Sequence, residues 1–205
     1  MIAIIDYGVG NVASIKNMLK KNGHDAFLTN NHDELRNATK LILPGIGAFD
    51  SCAQNLDVFY LRDILNELVL ENQKPILGIC VGMQLLAARS EEGHLDGLGW
   101  IPGAMVKRFS FADSILKIPH MGWNTIAPQN NNPLFANLPD DARFYFAHSY
   151  HVHCPDNQHV AAFTHYGYDY ASAVSKDNIF GVQFHPEKSH RFGMKILSNF
   201  AELSF

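Results

Sequence analysis

The sequence predicts an α/β fold: an open, mostly parallel sheet flanked by helices, with additional antiparallel β structure in the second half. Two observations carry this. Short, near-continuous apolar runs alternate with helical patterns through the first half, and strands apolar along their whole length belong to a parallel sheet covered on both faces. The second half is richer in strand patterns and closes on one helix. At 205 residues the chain is long enough for one sizeable core and short for two. Residues 1–205 are therefore expected to form a single domain.

Ile2–Ile5 reads as a buried strand. From Val12 to Lys21 the apolar positions Val12, Ile15, Met18 and Leu19 fall on one helical face, and Gly23 sits where a C-terminal cap belongs. Ala26–Leu28 and Leu41–Leu43 are strands, the second ended by "PGIG". Leu56–Leu70 has Leu61, Ile64, Leu65 and Leu68 at helical spacing; Ile76–Ile79 is a strand and Met83–Arg89 a helix. Strands follow at Met105–Arg108, Phe144–Phe146, Val160–Phe163, Ala171–Val174 and Phe180–Phe184, and Arg191–Leu203 is the closing helix. No internal repeat or low-complexity linker interrupts the chain, and "PQNNNP" at 128–133 reads as a surface loop.

The formal net charge is −4 and no segment concentrates Lys or Arg, which argues against nucleic acid or a membrane surface as partner. The opening "MIAIIDYG" lacks a basic leader and reads as a strand, not a signal peptide. Cys52, Cys80 and Cys154 are odd in number, widely spaced and without a CxxC pair. That is a reduced, cytoplasmic pattern with neither a disulfide framework nor a zinc site.

"GICVG" at 78–82 ends an apolar strand and opens a helical pattern. A strand–nucleophile–helix turn tight enough to expose a side chain at the sheet edge strains the central residue, and glycines two residues either side remove the side chains that would collide. Cys80 stands where the G-x-S-x-G elbow carries Ser. At the N-terminus of a Gly82–Arg89 helix the dipole would favour thiolate. A buried structural cysteine between punctuating glycines explains the pentapeptide equally well; a base separates the two.

In "GVQFHPEKS" at 181–189 a strand ends at His185, with Glu187 two residues on. A histidine that takes the thiol proton, oriented by a carboxylate, gives a Cys80–His185–Glu187 triad, and active sites gather at strand tips of such sheets. The bland alternative is a His-Pro turn beside a surface Glu. "LILPGIGAF" places a glycine turn directly after a strand, so Gly45, Ile46 and the Val81 N–H are expected to form an oxyanion hole.

Together "PGIGAF", "GICVGMQLL", "SEE", "PHMGWN", "YFAHSYHV" and "GVQFHPEKS" resemble, in order and over essentially the whole chain, the class I (triad) glutamine amidotransferases. Within that family they look like the branch of glutaminase subunits of imidazole glycerol phosphate synthases. The resemblance implies that Cys80 attacks the side-chain amide of L-glutamine, that a γ-glutamyl thioester forms as ammonia leaves, and that water releases glutamate. It further implies a heterodimer with a (βα)8-barrel cyclase subunit, which receives the ammonia through a channel. The products would be imidazole glycerol phosphate and an aminoimidazole-carboxamide ribonucleotide, in histidine biosynthesis, with no cofactor or metal.

Position by position, Gln84 and Glu92 match glutamine-holding residues, Glu92 meeting the α-ammonium. His148, Ser149 and Tyr150 match the segment that contacts the substrate carboxylate, mainly through backbone. Asn11, Ser14, Met121, Trp123, Asn124 and Lys188 match partner-interface positions. Ile46 replaces the usual Val and Val81 the usual Leu, both near in volume. Asn17 stands where the family sometimes has a basic residue. "EKSHRFGM" replaces the usual "EKSG" and resembles a paralogue supplying ammonia for surface-sugar amidination, which is the alternative destination. A stand-alone cysteine hydrolase would need neither Glu92 nor "PHMGWN", and a non-catalytic regulatory subunit would need no intact triad.

"GVGNVA" at 8–13 fits a dinucleotide fingerprint but lacks the acidic residue that should close the second strand; a turn docking a partner is the better reading. On one strand "HSYHVH" sends His148 to one side and His151 and His153 to the other, which suggests a solvated edge and not a metal site. Trp100 and Trp123 read as core or interface packing.

Overall fold

The structure, a computed structural model, describes residues 1–111 and 116–204. The first half runs β1 (Ile2–Ile5), α1 (Val12–Lys21), β2 (Ala26–Thr29), α2 (His32–Asn37), β3 (Lys40–Leu43), α3 (Phe49–Val58), α4 (Leu61–Asn66), a π-helical turn at Glu67–Glu71, β4 (Ile76–Ile79), the one-turn α5 (Val81–Gln84) and β5 (Arg89–Ser90). The second half holds β6 (Met105–Arg108), β7 (His120–Thr125), β8 (Ala127–Pro128), β9 (Arg143–His148), β10 (Tyr150–His153), β11 (Val160–Tyr166), β12 (Tyr168–Lys176), β13 (Ile179–Val182) and α6 (His190–Glu202).

The main sheet is ordered β2-β1-β3-β4-β13-β12-β10-β6-β5, with β11 and β8 attached through β12, while β7 and β9 form a separate ribbon. From β2 to β13 the pairs are parallel. From β13 to β6 they are antiparallel, and β5 adds to β6 in parallel. β1, β3, β4 and β13 are buried at every residue, as their apolar runs require, Lys40 at the start of β3 being the one charged exception. Among the described residues no helix is long and apolar enough to cross a membrane.

α1 has the bounds its spacing predicts, and Gly23 (φ 82°) closes it. The Gly23 and His24 N–H groups reach back to Lys20 and Leu19 carbonyls, 3.0 Å each, in a Schellman arrangement. Two helical expectations need correction, and one helix was not foreseen. The helix expected at Leu56–Leu70 is two, because the chain turns left-handed at Tyr60 (φ 55°); Arg62 ties this corner by donating to Asp57 and to the Gly97 and Asp96 carbonyls. α2 went unanticipated: it buries only Leu35 and is started by Asn31, whose side chain accepts from the Asp33 and Glu34 N–H groups. The Met83–Arg89 helix stops after one turn, since Ala88 and Glu91 leave it to donate to the Ala104 and Val106 carbonyls. Sheet pairing overrides helical spacing there. The Phe180–Phe184 strand ends at Val182, the strands expected at Phe144–Phe146, Val160–Phe163 and Ala171–Val174 extend beyond those bounds, β6 keeps its own, and β7 and β8 were not foreseen.

Candidate active site

Cys80 sits at the tip of β4 with φ 54° and ψ −111°, a conformation that a non-glycine residue adopts only under constraint. Its N–H is pinned to the Val182 carbonyl at 2.8 Å. The glycines act as the elbow requires. A Cβ on Gly82 would lie 1.9 Å from the Leu43 carbonyl oxygen, and one on Gly78 would lie 2.6 Å from that of Gly82. The Gly82–Arg89 helix expected after the thiol is the single turn α5, Val81–Gln84. What the thiol meets instead is the Gln183 amide, whose Nε2 donates to Sγ at 3.8 Å, and His185.

His185 lies three residues beyond β13. Its N–H donates to the Tyr145 carbonyl at 2.9 Å, and its own carbonyl accepts from Ser189 Oγ at 2.6 Å. That oxygen in turn accepts the Tyr145 N–H at 3.0 Å, so β9 fixes the turn from both sides. Gly193 lets α6 press on it, since a Cβ there would be 1.8 Å from the Pro186 oxygen. His185 Nδ1 is 2.9 Å from Glu187 Oε1, with the two side chains 4% and 1% exposed. Burial pulls the His185 pKa down, but hydrogen bonds and charge from Cys80 and Glu187 prevail and raise it to about 10. The imidazole can thus hold a proton taken from the thiol.

A cavity of about 380 Å³ opens beside Cys80 and His185, bordered also by Gln84, Glu92, His148, Ser149 and Tyr150. All five residues matched to glutamine binding therefore face one space. Glu92 Oε2 accepts the Phe49 N–H at 2.8 Å. Gln84 Nε2 donates to the Tyr150 carbonyl (3.0 Å) and to Gln183 Oε1 (3.1 Å). Gln183 is the residue the sequence reading missed; its only signal is its place two residues before His185 on an otherwise apolar run.

The oxyanion expectation needs correction at Val81. Gly45, Ile46 and Val81 are adjacent, but the Val81 N–H donates to the Gly45 carbonyl at 3.3 Å and is consumed. The Pro44 carbonyl accepts Tyr7 Oη (2.5 Å) and the Ile46 carbonyl accepts Cys52 Sγ (3.4 Å). Three successive carbonyls of the turn each hold a donor, and of the expected oxyanion donors the Val81 N–H is already spent on one of them.

Of the residues matched to a partner interface, two reach the cavity. Met121 and Lys188 border it; Met121 and Trp123 are 64% and 45% exposed. Trp123 stacks on His190 at 5.3 Å and 9°, and Lys188 Nζ sits over the Tyr145 ring. Asn11 and Ser14 are half-buried at the start of α1, which packs on the 186–188 turn. Asn124 is half-buried and bonded inward, to the His165 carbonyl and the His120 ring. The solvated-edge reading of "HSYHVH" fails: Ser149 breaks the strand in two, and His148 and His151 are both buried beside Phe109. Trp100 is buried. Among the described residues no His, Cys, Asp and Glu converge as a metal site.

Residues 3–203 match the family model described as Glutamine amidotransferase class-I. The chain belongs to this family. Among curated relatives of this amidotransferase, imidazole glycerol phosphate synthase subunit HisH 2 of Methanococcus maripaludis is 56% identical over 98% of each chain. Subunit HisH of Leptospira interrogans is 47% identical over 99% of this chain and 100% of its own. Among solved structures, PurLQS of Thermotoga maritima superposes with TM-score 0.70 at 19% identity, over 97% of this chain and 96% of its own; that likeness speaks for the fold alone.

Proposed function

We propose that this amidotransferase is the glutaminase subunit of an imidazole glycerol phosphate synthase. The observation that carries the chemistry is the strained Cys80 thiol beside a His185 held by Glu187 in a glutamine-sized cavity. His185 takes the thiol proton, and the thiolate attacks the carboxamide carbon of glutamine. As the tetrahedral intermediate collapses, the imidazolium returns that proton to the leaving nitrogen, and ammonia departs from a γ-glutamyl thioester. His185 then activates the water that releases glutamate. Glu187 keeps the proton on Nδ1 and stabilises the imidazolium. Glu92 holds the α-ammonium, Gln84 and the His148–Tyr150 segment hold the remainder of the zwitterion.

With its N–H on the Gly45 carbonyl, Val81 stabilises no oxyanion until the 44–47 turn reorganises. We assign that step to assembly with a (βα)8-barrel cyclase subunit, docking on the face that carries Asn11, Ser14, Met121, Trp123, Asn124 and Lys188. The ammonia then passes through a channel to the barrel, and the residues 1–205 act as one cytoplasmic domain. The names of the relatives favour this destination over surface-sugar amidination. Glutamine hydrolysis is to be followed with and without the barrel subunit and its ligand. Weak ammonia release alone, stimulated release in the complex and none from Cys80→Ala is the expected pattern; undiminished release from Cys80→Ala rejects it.

A further inference from the structure

The cavity wall formed by the second half is held by a chain of side chains of which only His148 belongs to the glutamine-holding set. His148 Nδ1 lies 2.7 Å from the Tyr150 carbonyl oxygen. A carbonyl only accepts, so the proton is on Nδ1. His148 is buried, and burial lowers its pKa to about 3, so the ring is neutral and Nε2 is an acceptor. The group 3.2 Å from that Nε2 is the Tyr170 hydroxyl, which must donate to it. Its single proton thus spent, the Tyr170 oxygen accepts from His120 Nδ1 at 3.0 Å.

His120 is sandwiched between Tyr166 (4.0 Å, 18°) and Phe146 (4.7 Å, 18°), and burial lowers its pKa to about 4. It too is neutral, and its Nε2 accepts from Asn124 Nδ2 at 3.3 Å. The orientation of that amide is fixed independently. Asn124 Oδ1 accepts the Thr125 N–H at 2.8 Å, while Nδ2 also donates to the His165 carbonyl at 3.0 Å. Carbonyl groups at both ends thus impose the same proton order on every link, Asn124 to His120 to Tyr170 to His148 to Tyr150. Reversing any one member leaves two donors or two lone pairs facing each other in a buried setting, the costly outcome for an interior network.

The terminal carbonyl matters because it also accepts Gln84 Nε2. The Ser149 carbonyl is engaged as well, by the Phe109 N–H at 3.1 Å. The peptide planes of the 148–150 segment are therefore set by what its carbonyls bind, and His148 supplies one of those bonds. We infer that Tyr170 is a positioning residue for the glutaminase reaction, its buried hydroxyl orienting His148 and, through it, the backbone that meets the substrate carboxylate. This rests on the proposed glutaminase reading for its kinetic consequence and on geometry alone for its proton order.

Two measurements test it. In the full chain with 15N-labelled histidine, His148 and His120 should both give the neutral ring with the proton on Nδ1 at neutral pH; an imidazolium, or a proton on Nε2 of either, overturns the inference whatever the enzyme does. Tyr170→Phe, assayed in complex with the barrel subunit, should raise KM for glutamine about fivefold, the equivalent of one net hydrogen bond, with kcat within about twofold of the parent. An unchanged KM, or a loss confined to kcat, overturns it. If Tyr170→Phe does not fold, the resonances of the parent protein decide alone. Failure of the parent complex to release ammonia would sink the glutaminase reading and leave the tautomer result standing.

Discussion

The two walls of the cavity are built by different means. The parallel half places Cys80 through backbone pressed on backbone: Gly82 against Leu43, Gly78 against Gly82, Cys80 fixed to Val182. The antiparallel half supplies its wall through side chains, with buried His120, His148 and Tyr170 in one hydrogen-bonded line. A backbone contact has no proton to lose and no rotamer to change, so it holds one geometry across conditions. A histidine line holds its geometry only while its rings are neutral. The sulfur is fixed by construction, and the 148–150 wall is fixed by rings that stay neutral.

The largest test of this contrast lies at the sulfur. Cys80→Ala should lower glutamine hydrolysis by about 10⁴-fold or more, the scale of removing a nucleophile, with the thermal midpoint nearly unchanged; a loss of only a few-fold would show that the elbow serves another purpose. Next comes Gly82→Ala. Its methyl would need to occupy a point 1.9 Å from a main-chain oxygen, and main chain cannot step aside, so a destabilisation of about 3 kcal/mol or more is expected. Denaturant titration checks it, and a wild-type midpoint would break the claim that the wall is rigid by contact.

The antiparallel wall is tested by acid. Unfolded histidines titrate near the ordinary value of about 6.5, whereas folded His120 and His148 resist protonation to about 4 and about 3. Between these limits the unfolded chain binds more protons at these two rings, so their contribution to stability is full above about pH 6.5 and falls as pH drops, by at most about 2.7 kcal/mol per pH unit for two protons. Urea midpoints from pH 7 down to about pH 4 report this. His120→Gln should lower the slope by up to one proton's worth, and a slope unaffected by that change would show that the ring is not held neutral.

The same division explains what could be read in the sequence. "GICVG", "PGIG" and "HPEKS" announce themselves because close backbone approach admits only glycine and because the triad residues lie at turn positions. The central parallel strands were legible because their runs are almost wholly apolar. Tyr170 and His120 left no such mark, since a tyrosine and a histidine on alternating strands look alike whether solvated or buried, and only the pairing of β7 with β9 and of β12 with β10 brings them together. Gln183 and Ser189 were hidden for the same reason, each acting on a residue distant in sequence. The helix after Cys80 misled because its apolar spacing is real but loses to pairing with β6.

The smallest effect concerns the exception inside the parallel wall, the 44–47 turn. Ile46 is 45% exposed there, and Gly47, at φ 90°, has nothing within 4 Å of where a Cβ would stand. Its grip comes from Tyr7, Cys52 and the Val81 N–H on three consecutive carbonyls. The thiol is the weakest donor of the three, and burial raises its pKa to about 11, so it stays a donor at neutral pH. Cys52→Ala removes the tie on the Ile46 carbonyl while leaving the elbow contacts intact. If the occupied Val81 N–H is what holds basal turnover down, loosening its neighbour eases reorganisation. Glutamine hydrolysis without the barrel subunit should then rise about two- to fourfold, the worth of one weak hydrogen bond, while the rate in the complex stays within about twofold. A fall in the basal rate would mean that the turn already stands in its working form, and that the Gly45 carbonyl is not what restrains it.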